Sequence, residues 1–174
     1  MTTTTDNLQY PVGKFQRPDT FNAKDIPNYI DTIESFPVNL RNAINDLSPA
    51  QRLKPYREGG WNALQVVHHC ADSHMNSFIR FKLGLTENNP TIKPYAEAKW
   101  AETPDYTNAD MQYSLQILDG LHARWTILLK SMQEEDFHKT IFHPQQQREM
   151  TLFVLLALYA WHCNHHLAHV LSIK

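Results

Sequence analysis

The chain has 174 residues, 42% apolar and 20% charged, and a formal charge of −2, so charge alone gives it no pull on nucleic acid or anionic lipid. No apolar run approaches the roughly 18 residues of a membrane span, and the threonine-rich start lacks the basic and apolar parts of a secretory signal. Two cysteines, Cys70 and Cys163, exclude a disulfide framework. The expectation is one soluble, cytoplasmic domain over residues 1–174 with a small-molecule partner, and neither nucleic acid nor membrane as a partner.

Residues 1–23 contain Pro11, Gly13 and Pro18 without a sustained period and read as an arm laid over a surface. Between residues 24 and 47, Ile26, Ile30, Ile33, Phe36, Leu40, Ile44 and Leu47 recur at three and four. That period predicts an amphipathic helix, which Pro37 should bend or divide. Gly59 and Gly60 free the backbone before Trp61, and Asn62 can cap a second helix over 63–85, with Gly84 and Thr86 marking its end. Residues 86–108 carry Pro90, Pro94 and Pro104 and lack a helical period, as in a long loop that serves as a lid, with Lys93, Tyr95 and Trp100 placed to close over a cleft. Met111, Leu115, Leu118, Leu121, Trp125 and Leu128 mark a third helix over 109–130. A polar connector follows over 133–150, and Thr151 can cap a fourth helix running to about residue 173. With no convincing strand alternation, the chain reads as an all-α four-helix bundle with a long loop between helices two and three.

Four of the ten histidines, His162, His165, His166 and His169, fall within eight residues of the fourth helix. His162/His166 and His165/His169 are both pairs spaced by four, and such pairs share a helix face. His162 and His166 align with Leu152, Leu155 and Tyr159, so their polar nitrogens need hydrogen bonds, a metal or a cavity edge. The second helix carries another cluster. His69 shares a polar stripe with Asn62, Gln65, Ser73, Asn76 and Arg80, while His68 and His74 turn toward packing surface. A pair on one helix plus a third imidazole on another would leave a metal with an open position, the arrangement of catalytic zinc. Nitrogen donors also suit nickel or iron, so zinc is only the default. Asp72 reads as a helix-surface carboxylate, Cys70 and Cys163 as small core fillers, and Asn76 and Arg80 as contacts for polar or carboxylate groups of a substrate. There is no His-Glu-x-x-His, no Gly-x-Ser-x-Gly and no Walker loop. The pair His165/His169 stays open on geometry alone.

Tyr10-Pro-Val-Gly13, Tyr56-Arg-Glu-Gly-Gly-Trp61, Val66-Val-His-His-Cys-Ala-Asp-Ser-His-Met-Asn76, Ile92-Lys-Pro-Tyr95 and Leu158-Tyr-Ala-Trp-His162 with His165-His-Leu-Ala-His169 together resemble the DinB/YfiT-like superfamily. The likeness is specifically to its YfiT group of metal-dependent hydrolases and bacillithiol transferases. The resemblance implies a four-helix bundle with crossed-over connections and one divalent ion per chain on three histidines. One ligand follows the motif tryptophan by eight positions, which selects His69 after Trp61, and the other two match His162 and His166. It further implies a homodimer and, in some members, a low-molecular-weight thiol substrate. The rival reading is a non-catalytic metal-binding or stress-associated bundle protein.

Overall fold

The computed structural model describes residues 8–173. Four long helices carry the fold: α1 (Ile26–Asn45), α2 (Ala63–Thr86), α3 (Met111–Ser131) and α4 (Leu152–Leu171). Local chemistry starts three of them. Asn62 accepts from the Gln65 amide while the Gln65 side chain accepts from the Asn62 amide, Asp110 accepts from the Gln112 amide, and Thr151 accepts from the Val154 amide. Each arrangement satisfies a backbone N–H that would otherwise lack a partner.

α1 packs against α3 and α4, and α2 also packs against α3 and α4. Helices consecutive in sequence, α1/α2 and α3/α4, therefore sit mainly across the bundle diagonal, and the connectors 46–62 and 132–151 cross over. Ile33 and Leu40 from α1, Val66 and Phe81 from α2, Leu118 and Trp125 from α3, and Leu152 and Leu156 from α4 are fully buried between the helices. Each such side chain contributes about 1.5–3 kcal/mol of burial free energy. Among the described residues, no helix is long and apolar enough to cross a membrane.

The elements differ from the sequence expectations in three places. Pro37 does not divide its helix: α1 is continuous through it, and Pro37 is buried. α2 ends at Thr86, within a residue of the expected end, and Gly84 lies inside its last turn. A Cβ at Gly84 would come within 2.8 Å of the Leu152 side chain and 3.2 Å of that of Ile141, so glycine here permits close approach of α2 to the start of α4. The polar connector contains a hairpin, β1 (Thr140–His143) paired antiparallel with β2 (Arg148–Thr151), with Ile141 opposite Met150. Both of those residues are buried. The loop 86–108 contains two short helices, Glu97–Trp100 and Pro104–Asn108, and its start pairs with the hairpin, the Ile92 amide donating to the Phe142 carbonyl at 3.0 Å.

The N-terminal segment lies over α4. The Trp161 indole N–H donates to the Gly13 carbonyl at 3.0 Å, and the Phe15 and Tyr10 rings rest near Trp161 and His165.

Candidate metal centre

His69 of α2 and His162 and His166 of α4 meet where the two helices pack, with one nitrogen from each lying within 4.8 Å of the others. The Nε2 atoms of His69 and His162 are 3.2 Å apart. Two nitrogens on one tetrahedral zinc, each at ~2.0–2.1 Å, stand roughly 3.3 Å apart, so this spacing suits a shared ion. Burial pushes His69 down to about 4 and His162 and His166 well below the ordinary imidazole range, with the neighbouring imidazoles adding to the effect. All three are neutral at pH 7, the form that offers a lone pair to a metal. The donor set therefore fits a divalent ion that accepts nitrogen.

His165, His166 and His169 form a second grouping of the same compactness, and it shares His166 with the first. The His169 Nδ1 lies 3.4 Å from the His166 Nδ1, while the His169 Nε2 faces the Gln9 carbonyl at 3.1 Å. A carbonyl only accepts, so His169 carries its proton on Nε2. His165 is stacked on Trp161 at 4.4 Å between centroids.

Aromatic rings frame the cluster. Trp61 is tilted against His69 at 4.8 Å and lies nearly parallel to His166 at 6.5 Å, and Tyr56 stacks on His169 at 3.9 Å. The loop 56–61 sets both rings. Gly59 has φ +65°, and a Cβ at Gly60 would fall 2.8 Å from the Arg57 Cγ and 3.1 Å from its carbonyl oxygen. Only glycine allows this turn without displacing Arg57.

The histidines open into a cavity of about 560 Å³. Arg57, Arg80, His143 and Glu97 also line it, and Glu97 is its single carboxylate among the described residues. Partial loss of solvent at the cavity wall raises the carboxyl of Glu97, an exposed residue, and the Arg80 guanidinium partly opposes the effect. Arg80 is held to the loop by a bond from Nη2 to the Lys93 carbonyl at 3.4 Å.

Other sequence candidates fall elsewhere. Asn76 turns back along its own helix, donating to the Asp72 carbonyl at 2.9 Å, and does not line the cavity. Asp72 accepts from the Tyr106 hydroxyl at 2.7 Å, away from the three histidines. Cys70 and Cys163 are buried free thiols that burial pushes far toward the protonated form, as expected of core fillers. Arg57, Glu97 and His143 escaped the sequence expectation because a loop, a one-turn helix and a hairpin have no period to aim a side chain. Ser73, on the polar stripe of His69, was findable: its Oγ lies 3.4 Å from the His162 Nε2.

A bundle with crossed connections and a three-histidine cluster between its second and fourth helices defines a recognisable class. The chain belongs to the DinB superfamily, whose sequence profile matches residues 32–170. It is 50% identical over 171 residues to a protein of Geobacillus kaustophilus (strain HTA426) named a "putative metal-dependent hydrolase", covering 98% of this chain and 96% of that one. A protein of the same name from Geobacillus thermodenitrificans (strain NG80-2) is 46% identical over 171 residues, with the same coverage. Among solved structures, the chain superposes with a TM-score of 0.92 and 42% identity on one described as "YfiT from Bacillus subtilis is a probable metal-dependent hydrolase with an unusual four-helix bundle topology", covering 96% of this chain and 95% of that one.

Proposed function

We propose that the chain is a metal-dependent enzyme in which His69, His162 and His166 hold one divalent ion, zinc by default and nickel or iron as alternatives. The observation that carries this reading is the convergence of three neutral imidazoles, two buried and that of His162 half-buried, on one wall of an open cavity. When bound, such an ion lowers the pKa of a coordinated water or thiol, so that a nucleophile exists at neutral pH.

The protein's own residues supply the rest. Arg57 and Arg80, at different points of the cavity wall, orient an anionic small molecule by charge-assisted hydrogen bonds. Glu97, the single carboxylate lining the cavity among the described residues, is placed to serve as general base. Trp61 and Tyr56 keep bulk water off the histidines.

Two substrates for activation remain within this reading: water, giving hydrolysis as in the names of the relatives, or a low-molecular-weight thiol, giving S-transfer as the YfiT-group resemblance implies. The resemblance also supports a homodimer. Incubation with a small thiol and a chlorinated nitroarene, beside a panel of esters and amides, separates the two. Turnover of either kind should be abolished in His162→Ala and fall about 10²–10⁴-fold in Glu97→Gln. Turnover equal in wild type and His162→Ala would overturn the assignment.

A further inference from the structure

Pro37 has no N–H, so the carbonyl of Ile33, one turn earlier in α1, lacks its helical donor. The Nδ1 of His122 on α3 occupies that acceptor at 2.6 Å. The Nε2 of His122 lies 2.8 Å from the Nδ1 of His74, and the Nε2 of His74 lies 3.0 Å from the Nδ1 of His162. Three imidazoles thus run in series from a main-chain carbonyl to the histidine cluster, through a core in which His74 and His122 are 0% and 1% exposed.

The direction of every bond in the series follows from its far end. A carbonyl only accepts, so His122 carries its proton on Nδ1 and offers a lone pair at Nε2. His74 must then donate from Nδ1 and accept at Nε2, and His162 must donate from Nδ1. Burial keeps His122 neutral, pushing it down to about 4, and a second proton on His74, 0% exposed, would bury a charge with no counter-ion beside it. The one lone pair left on His162 is at Nε2, the atom that faces His69.

We propose that His74 and His122, anchored on the Ile33 carbonyl freed by Pro37, are positioning residues that hold His162 as its Nδ1–H tautomer with the Nε2 lone pair turned into the cluster. His166 is preset in the same sense by a shorter arm. His169 donates from Nε2 to the Gln9 carbonyl and accepts at Nδ1 from the Nδ1–H of His166, leaving His166 its Nε2. His69 has no such anchor, its Nδ1 being buried without a hydrogen-bond partner. Outer partners of this kind orient ligands and sustain metal affinity. The purpose of the device rests on the metal-centre reading; the tautomers do not.

Long-range ¹H–¹⁵N correlation spectra of ¹⁵N-labelled, metal-free protein at pH 7 read each tautomer directly. The expected result is Nδ1–H for His122, His74, His162 and His166 and Nε2–H for His169. His74→Phe removes the acceptor from His162 and should release that ring to the Nε2–H form, with zinc affinity down about 10–100-fold. His74→Gln, whose carboxamide can still accept from His162 and donate to His122, should restore most of the loss. An Nε2–H tautomer at His162 in the wild type, or equal zinc affinity in the Phe and Gln variants, would overturn the proposal. If His74→Phe does not fold, the wild-type spectrum alone decides. Nδ1–H at His162 in a protein that takes up no zinc would support the series and reject the metal centre; zinc uptake with Nε2–H at His162 would do the reverse.

Discussion

His162 and His166 stand one turn apart on α4, yet their outer nitrogens are held from opposite sides of the molecule. His162 is held through His74 and His122, and the series ends on α1 at Ile33, which is fully buried. His166 is held through His169 by the carbonyl of Gln9, a partly exposed residue of the N-terminal segment. The inner series is therefore as rigid as the bundle core, because its members sit on all four helices. The outer one is as rigid as the packing of residues 9–15 on α4. One side of the histidine cluster is thus built by the core and the other by an applied segment, a difference that mutation and acid can expose.

Acid strains the buried imidazoles of the cluster and of the inner series and should have the largest effect. Folding lowers His69 and His122 to about 4 from an ordinary 6.5. The unfolded chain therefore binds more protons than the folded one between those values, so stability is full above about pH 6.5 and falls as pH drops toward 4. Each unmatched proton costs about 1.4 kcal/mol per pH unit. Urea unfolding of metal-free protein at pH 7 and pH 5 measures it, and equal midpoints would contradict neutral burial.

Substitution separates the two sides. His74→Phe leaves the Nδ1–H of His162 and the Nε2 of His122 without partners inside the core, a loss of about 2–5 kcal/mol in the same unfolding experiment. His169→Phe strips a partner from His166 and releases the Gln9 carbonyl, which can turn to water, so its cost should be smaller, about 1–2 kcal/mol. The reverse order would show that the applied segment, not the core, dominates. Gly60→Ala drives a Cβ against Arg57 and should shift the loop under Trp61, destabilising by about 1 kcal/mol and loosening metal retention, checked by competition with a chelator. Pro37→Ala should do least. It returns an N–H to the Ile33 carbonyl, but that oxygen has two lone pairs, so His122 keeps its bond while its Nδ1–H resonance shifts.

The helices were legible because each buries one face over five or six turns, so the period survives local exceptions such as Pro37. The hairpin was not legible. Its strands are four residues each, too short for alternation to stand out, and their buried residues, Ile141 and Met150, are isolated in a polar stretch. Helical rotation brought His69, His162 and His166 into consideration, and the family resemblance selected them; the fold places them together. The same rotation argument assigned His74 to packing surface. It is buried, but the rings it meets come from α3 and α4. No rotation diagram of one helix reveals which neighbours it faces, so the role of His122, lone on α3, was invisible from sequence. Asn76 shares the stripe of His69, and its amide donates to the Asp72 carbonyl of its own helix.

Elemental analysis of untagged protein, purified in parallel as wild type and His162→Ala, tests the central claim most directly. Three histidines holding one ion predict about one divalent metal per wild-type chain and a small residual fraction in the variant. Equal metal content in the two, or none in wild type after growth and dialysis with zinc, would contradict it.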